Sequence, residues 1–479
     1  MSSSYDIYYS DFLSLNERLF PKSHLDRIRN IDRYEMIYYN DKEELYNYYT
    51  NQIRACDIYK ESTFNKMMII NNYCNRATIS LVDLITSKRP VFVSNTKSNT
   101  KKINKYIDEN DFIKVINEII IKIDVTGDCF CRVIENDEGE KDIQIFNTQQ
   151  CFILKDEYTN RTKGYAVISH IGQEKGNDVY EILVSTKKKD YFYKVTTVGE
   201  LISEVRLLNE RNVNDFSVIH FNVYNGKSGY GISTYKAMET IQSNAINRIN
   251  QLSRIQDKFS SPLMVGPELD IVNNEGEDDE EMQQDYIRKI ETGTYLATDD
   301  ANNVKYLQWT APMTETRSYI QDLEDSIVSA SRMETIVTDR KTRSQVTSSK
   351  ALKMLYLNAI QKSDNYVNNM KGGLIKILKR ILNLKDDVII NITFNNGVPE
   401  FEDETIENVI LKLENNLISH TDAIAKLDGI TIEEAKRKYE EIKKEKEENT
   451  INNPDDDNSS KTVIDTVDDD MTTYEKIDN

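Results

Sequence analysis

Three stretches in the second half of the chain carry apolar residues at spacings of three and four, which is the period of one face of an α-helix. The pattern predicts helices from Ser233 to Phe259, from Glu315 to Met333 and from Ser349 to Leu382. The last of these would cover roughly 34 residues, or about 50 Å at 1.5 Å per residue. Two adjacent glycines, Gly372 and Gly373, interrupt its pattern and predict a bend.

The stretch between the first two helices has no helical period. Proline and glycine recur from Pro262 to Pro312, and both residue types mark turns and breaks. Short apolar runs within it predict strands at 263–265, 294–297 and 304–309. After the second helix comes a polar and basic stretch, Thr338 to Ser344, which predicts a loop.

The first half of the chain changes to a period of two after Gly127, as expected for β-strands. Side chains alternate from Cys129 to Ile134 and again from Asp142 to Phe146, with a turn at Asp137-Glu138-Gly139. This pattern predicts a β-hairpin. Further strands are predicted at Gly164–Ile171, Val179–Ser185, Tyr191–Thr196 and Phe216–Val223. The first half is therefore predicted to be a β-rich domain flanked by helices.

The end of the chain combines one strand with helices and an acidic tail. Asp387 to Phe394 alternates as a strand, which we expect to return to the sheet of the first domain. Helices are predicted at 404–418, 421–427 and 432–448. From residue 449 the chain is rich in Asp, Asn, Ser and Thr and has too little apolar surface to order itself.

The order of helix, irregular stretch, helix, basic loop and long helix resembles the central part of a tailed-bacteriophage portal protein. Two short patterns resemble the same family: Val218 to Ser233, a strand, turn and helix start, and Leu417 to Ala423, the entry to the crown. The resemblance covers about Ile113 to Glu448. It implies an α+β multidomain portal fold, with a helix-flanked β-rich wing, a helical stem, a small α/β clip, a long kinked helix and a helical C-terminal crown.

The same resemblance implies the domain boundaries. They are an N-terminal arm at 1–60, the first part of the wing at 61–230, stem helix 1 at 231–260, the clip at 261–312, stem helix 2 at 313–335, the tunnel loop at 336–348, the long kinked helix with the returning wing strand at 349–400, the crown at 401–448 and a disordered acidic tail at 449–479.

Composition narrows the class of protein. A chain of 479 residues is too long for one ordinary core. The net charge of −19 is opposite to that of proteins that hold nucleic acid by neutralising phosphates. The five cysteines are best explained as buried, reduced thiols. No signal peptide and no apolar run of about 18 residues is present, so we expect a chain that is neither secreted nor membrane-spanning.

Motifs for catalysis are incomplete. Gly226-Lys227-Ser228 ends like a phosphate-binding loop, but Phe221 stands where the first glycine of that motif belongs. Gly229-Tyr230-Gly231 lacks the third glycine of a dinucleotide fingerprint, so a turn before a helix explains it better. The four histidines are scattered, without the spacing of metal ligands. We therefore predict no catalysis, no cofactor and no metal site.

Four residues in the segment that matches the tunnel loop are the best candidates for proximity to DNA: Arg340, Lys341, Thr342 and Arg343. The alternative is a solvated loop whose charges pair between subunits or flank a helix.

Three basic residues of the first stem helix are weaker candidates: Arg248, Arg254 and Lys258. They could equally pair with carboxylates of the second stem helix, at about 0 to 1 kcal/mol per exposed pair. Those carboxylates are Glu315, Asp322, Glu324 and Asp325.

An acidic run and the single tryptophan belong to the segment that matches the clip: Glu277, Asp278, Asp279, Glu280 and Trp309. The acidic run is either a solvated loop or a surface that repels DNA and docks a basic partner. Trp309 is interpreted as an anchor in a core or an interface.

As the family implies, about twelve subunits would form a ring at one capsid vertex, with closed cyclic symmetry. Double-stranded DNA would pass through it non-specifically during packaging and ejection. The implied partners are terminase, head-completion or adaptor proteins, and capsid or scaffold protein. The implied location is the virion, with assembly in the host cytoplasm. Two alternatives remain open: a structural adaptor ring of a phage-like particle or tail that carries no DNA, and a hydrolase built on Asp and Glu.

Overall fold

The computed structural model describes residues 5–52, 68–135, 139–260, 263–267, 295–298, 305–307, 313–333, 354, 356–395, 397, 402–428, 430 and 432–452. The chain divides into two compact units, Met1–Val398 and Pro399–Asn479.

The first unit contains long helices and several small sheets. Its described helices are α1 Lys22–Tyr39, α2 Lys42–Gln52, α3 Tyr73–Thr86, α4 Lys97–Glu109, α5 Phe112–Thr126, α6 Tyr235–Ser260, α7 Met313–Ser331 and α8 Leu357–Ile381. Its described strands are β1 Ile7–Tyr8, β2 Lys88–Ser94, β3 Asp128–Glu135, β4 Lys141–Ile145, β5 Cys151–Lys155, β6 Thr162–Glu174, β7 Asn177–Thr186, β8 Lys189–Val198, β9 Leu201–Asn212, β10 Val218–Asn222, β11 Leu263–Pro267, β12 Tyr295–Thr298, β13 Lys305–Leu307 and β14 Ile390–Asn395.

The largest sheet has six strands in the order β1-β5-β6-β7-β8-β9. Neighbouring strands are antiparallel except β1 and β5, which are parallel. The sequence pattern predicted β6, β7 and β8 but not β9. Only Ile202 of β9 is buried, and Leu207 and Leu208 are consecutive exposed residues. The strand therefore lacks the alternation by which a half-buried strand is recognised.

The predicted hairpin is confirmed as β3 and β4, which pair in register from Cys131 with Ile145 to Glu135 with Lys141. Strand β10 pairs with the other edge of β3 and completes a three-stranded sheet. The predicted strand after the third helix is also present, as β14. It pairs with β2, which the pattern did not predict, and the two form a separate ribbon instead of joining the hairpin sheet.

The main core lies where α3, α5 and α8 meet the small sheets. Helix α5 is apolar on several faces, and Ile116, Ile119, Ile120 and Ile123 are all buried, as expected for a helix surrounded by protein. The described part of the predicted N-terminal arm also belongs to this unit. Helix α1 contributes Tyr34 and Ile37 to the same core.

The third predicted helix is present as α8, and its predicted start at Ser349 lies outside the described residues. It stays helical through Gly372 and Gly373. The bend itself remains a prediction, but the packing provides a different reason for one of the glycines. A Cβ on Gly373 would overlap the ring of Phe221, whereas a Cβ on Gly372 would meet no atom within 4 Å.

The second unit contains three described helices: α9 Glu402–Glu414, α10 His420–Asp428 and α11 Ile432–Asn452. All three were predicted. The predicted start of the disordered tail at residue 449 is wrong, because α11 continues to Asn452. Extending an existing helix adds one hydrogen bond for each residue that is fixed, so polar residues at its end can join it. The rest of the predicted tail lies outside the described residues.

These elements confirm a mixed α+β fold. Among the described residues, no helix is both long enough and apolar enough to cross a membrane.

Candidate functional site

Two long helices, α6 and α7, pack against each other and form the predicted helix pair. Their observed bounds lie within two residues of those predicted from the apolar stripes. Helix α6 buries Met238, Ala245 and Ile246, and α7 buries Ile327 and Val328.

The inner face of α6 is fastened to the N-terminal part of the chain by polar side chains. Asn250 accepts a hydrogen bond from the Ile69 backbone N–H at 2.8 Å and donates to the Ile69 carbonyl at 2.9 Å. Gln242 accepts from the Cys74 N–H at 2.9 Å and donates to the Tyr49 hydroxyl at 2.7 Å. These bonds fix α6 against the body of the first unit.

A shallow groove of about 370 Å³ lies between the two helices. Ile249, Leu252 and Ile320 supply its apolar side chains, and Arg317, Glu324 and Asp325 are its charged ones.

Arg248 is an exposed residue of α6. Its Nη1 donates to the Gln251 Oε1 at 2.9 Å, and its guanidinium carbon lies 5.7 Å from the centre of the Tyr319 ring. Within the described part of the chain, Arg248 thus contacts the second helix through an aromatic ring and not through the four carboxylates named as alternatives. Helix α6 also contains Arg254 and Lys258, whose side chains lie outside the described residues.

The other predicted site residues cannot be placed. Arg340, Lys341, Thr342 and Arg343 lie outside the described residues, as do Glu277, Asp278, Asp279, Glu280 and Trp309. Their roles remain predictions.

The structure adds a buried charge cluster that the sequence analysis missed. Asp124 of α5 is fully buried, and its Oδ1 lies 2.9 Å from the Nζ of Lys362, which is 1% exposed. The same Oδ1 accepts from the Thr234 and Tyr366 hydroxyls, each at 2.7 Å. Its Oδ2 accepts from the Thr78 hydroxyl at 2.7 Å. One carboxylate therefore joins α3, α5, α8 and the residue before α6.

Lys362 extends the cluster to a further helix. Its Nζ also donates to the carbonyl oxygen of Ser331, the last residue of α7, at 3.1 Å. Burial alone would raise the pKa of Asp124, but the Lys362 charge and the hydrogen bonds from Thr78, Lys362 and Thr234 outweigh it and lower that pKa. The Asp124 carboxyl is therefore ionised at neutral pH.

A second buried carboxylate, Asp128, lies at the start of β3. Its Oδ1 accepts from the His220 Nε2 and from the Gly231 N–H, each at 2.7 Å. Arg27 of α1 lies 3.8 Å from its Oδ2, and the guanidinium carbon lies 4.1 Å from the centre of the Tyr230 ring. These contacts hold the turn before α6 against the hairpin sheet.

That turn needs glycine on both sides. Gly127, at φ +91°, faces Gly231, and a Cβ on Gly127 would lie 2.8 Å from the Gly231 carbonyl. The pattern Gly229-Tyr230-Gly231 is thus explained by a close approach of two backbones, in agreement with the turn that the sequence predicted.

One signal in the sequence could have revealed the first cluster. Asp124 lies four residues after Ile120 in α5, and Lys362 lies three residues after Ala359 and four before Tyr366 in α8, so each is on a core-facing stripe. Charged residues are almost never fully buried unless they are paired, so each of the two predicts a buried partner without identifying it. Among the described residues, no group of His, Cys, Asp and Glu could hold a metal ion.

The comparison with protein families decides the class. The family model described as "Phage portal protein, SPP1 Gp6-like" matches residues 20–452. The chain belongs to this phage portal protein family. Membership confirms the resemblance drawn from the element order and places the chain among virion proteins that serve genome packaging. The portal family is a structural family.

Two of the solved structures that are similar to this portal chain are necks of gene transfer agent (GTA) particles. One is the neck of an empty GTA particle computed with C6 symmetry, at 10% identity and a TM-score of 0.46, covering 75% of this chain and 90% of that chain. Another is the neck of a native GTA particle computed with C12 symmetry, at 12% identity and a TM-score of 0.41, with the same coverage. No curated protein matches the chain.

Proposed function

We propose that this chain is the subunit of a ring of about twelve copies with closed cyclic symmetry at a capsid vertex. The ring forms the channel for DNA packaging and ejection. The observation that carries the proposal is the family match over residues 20–452, which includes α6, α7 and everything between them. The packed helix pair supports a stem, and the groove between these helices offers apolar and charged groups to a neighbouring copy.

The charge of the chain supports a channel that does not hold its cargo. Twelve copies at −19 each give a net charge of roughly −230, which repels phosphate at long range. A protein that neutralises about six to ten phosphates binds DNA tightly and in a salt-dependent way. Such binding would oppose movement, so repulsion suits a passage for DNA.

A few basic residues then touch the duplex weakly. We assign this role to Arg340, Lys341 and Arg343 in a tunnel loop, with Thr342 among them. Arg248, Arg254 and Lys258 in the stem have a lesser role. The ring carries out no catalysis. Its motor is a separate terminase, which docks on the clip through Glu277 to Glu280 and Trp309 together with head-completion or adaptor proteins. Capsid or scaffold protein contacts the ring in the virion, and assembly takes place in the host cytoplasm.

Mass and symmetry of the purified protein test the ring directly. We expect native mass spectrometry to give a closed oligomer near twelve subunits and negative-stain images to show a central hole. A stable monomer across protein concentrations that span the micromolar range would contradict the proposal.

A charge-removal experiment tests the channel. The triple variant Arg340→Ala, Lys341→Ala and Arg343→Ala should form rings and particles as the unaltered chain does. The nuclease-protected DNA per particle should fall. The matched control removes three exposed lysines of α4 by the changes Lys97→Ala, Lys101→Ala and Lys102→Ala. It should leave the DNA content unchanged.

Three other outcomes have distinct meanings. Equal losses in both triple variants would assign the effect to total charge and not to the loop. Loss of rings in the first variant alone would show that its residues are structural. Particles that assemble normally but protect no DNA even with the unaltered chain would favour an adaptor ring without DNA.

A further inference from the structure

The C-terminal end of α7 depends on a side chain from another helix. The last four carbonyl groups of a helix have no partner within it, and a buried one must find a donor elsewhere. Ser331 is 1% exposed, and the next residue, Arg332, leaves the helix at φ +58°. The Lys362 Nζ donates to the Ser331 carbonyl at 3.1 Å. A cation at this position also interacts favourably with the helix dipole.

Lys362 can do this only because its own charge is compensated. An ammonium group without water is costly to bury, and a carboxylate at hydrogen-bond distance offsets that cost. Asp124 supplies the carboxylate at 2.9 Å. The hydroxyl groups of Thr78, Thr234 and Tyr366 donate hydrogen bonds to it. Asp124 is therefore a fixed point, and Lys362 connects that point to the end of α7.

We propose that Lys362 is a positioning residue, which with Asp124 fixes the end of α7 relative to the start of α8. The two helix ends bracket residues 334–353 in the sequence, where Arg340, Lys341 and Arg343 occur. The pair thereby sets the two points to which that basic segment is attached. The relevance of this pair to DNA rests on the proposed function. The joint, meaning the connection that Asp124 and Lys362 make between α7 and α8, does not.

The chemistry of this pair is the strongest reason to assign it a positioning role in addition to a stabilising one. Buried ion pairs are often replaceable by apolar residues without loss of stability, because desolvation cancels much of the attraction. An apolar pair here would leave the Ser331 carbonyl without a donor. The lysine therefore does what no aliphatic side chain of the same length can do.

Hydrogen exchange on the purified, unliganded protein tests the joint. The double variant Asp124→Asn with Lys362→Met removes both charges together, and the Asn oxygen can still accept from Thr234 and Tyr366. We expect amide exchange to accelerate about tenfold in peptides covering residues 325–333 and 357–366. Exchange in β6 to β8 should be unchanged.

A matched control makes the same two substitutions in an exposed pair whose lysine lies on the same helix. Lys376 lies 2.8 Å from Asp215, and both side chains are well exposed. Asp215→Asn with Lys376→Met should leave exchange in both peptides unaltered. Uniform acceleration across the whole first unit, or no acceleration at the two helix ends, would overturn the proposal.

A milder variant keeps the test decisive if the double variant does not fold. Tyr366→Phe removes one hydroxyl donor from Asp124 and retains the ring, so exchange should rise modestly and in the same two peptides only. Unchanged exchange there would refute the proposal as well. Exchange is measured without DNA, so the two proposals can fail separately. A monomeric protein that shows the local response would contradict the proposed ring and support the positioning role of Lys362 and Asp124.

Discussion

Gly373 of α8 packs directly against the aromatic ring of Phe221 in β10, and no side chain larger than hydrogen fits between them. We expect Gly373→Ala to destabilise the first unit by about 1–3 kcal/mol, the usual cost of overpacking a core. Its neighbour provides the control. A Cβ on Gly372 would point into open space, so Gly372→Ala should stabilise the helix by about 0.5–1 kcal/mol.

Chemical denaturation of both variants measures these opposite signs. Equal effects of the two substitutions would mean that the glycines act through helix propensity or bending alone and that the Phe221 contact is unimportant.

The buried imidazole of His24 predicts a loss of stability in mild acid. Its Nε2 donates to the Tyr5 carbonyl at 3.0 Å, and its buried Nδ1 has no hydrogen-bond partner among the described residues. Burial, followed by the nearby Arg27 charge, lowers the pKa of His24 from 6.5 to about 4. The unfolded chain therefore takes up the proton first, so stability is complete above pH 6.5 and falls as the pH decreases toward 4. The loss from this one group should reach about 2–3 kcal/mol.

Replacing His24 with Gln should remove that part of the pH dependence, because Gln can still donate to the Tyr5 carbonyl and does not titrate. The control is His170→Gln, since His170 is about half exposed in its pair with Asp178. Melting temperatures from pH 7 to pH 4 measure the slope. A steep slope that survives in the His24 variant would assign the pH dependence to other groups.

The contact between Asn250 and the Ile69 backbone predicts a localised cost. Asn250→Ala deletes a donor and an acceptor at once and should destabilise the first unit by about 1–2 kcal/mol. Asn244 lies on the exposed face of the same helix, so Asn244→Ala should change stability by less than about 0.5 kcal/mol. Urea denaturation compares the two, and a similar cost for both would leave the Ile69 contact without energetic weight.

The described cysteines should be unreactive in the folded protein. Cys74, Cys129, Cys131 and Cys151 are free and buried, and burial raises the pKa of each thiol, for Cys131 to about 12. Because the thiolate is the reactive form, alkylation by iodoacetamide at neutral pH should modify these four only after unfolding. Peptide mapping by mass spectrometry identifies each site. Rapid native labelling of any of the four would show that its surroundings open readily.

The sequence pattern predicted those elements whose own residues show a clear helical or strand period. Helices α6 and α7 have long apolar stripes, and the hairpin of β3 and β4 has alternation with a turn between its strands. Strand β9 escaped because its alternation is absent, and β2 because Val91 and Val93 make its exposed face apolar as well and Pro90 interrupts the run. Local pattern reports burial on one face, but it does not report which distant strand completes a sheet.

The candidate site was likewise predicted from the sequence only in part. The helix pair that presents Arg248 followed from periodicity, and the family resemblance followed from element order. The link between Asp124 and Lys362 did not, because a charged residue on an apolar stripe names no partner. Its partner is determined by the three-dimensional packing of α3, α5 and α8, which one sequence does not disclose.

The dry surroundings of Asp124 and Lys362 have a consequence for the life of a phage particle. Ions in solution weaken exposed pairs such as Arg89 with Asp108, but they do not penetrate a region from which water is excluded. A change in the ionic strength around the particle would therefore alter the exposed pairs and leave this buried pair unaffected. The link that Asp124 and Lys362 form between the end of α7 and the start of α8 would keep its geometry across that change.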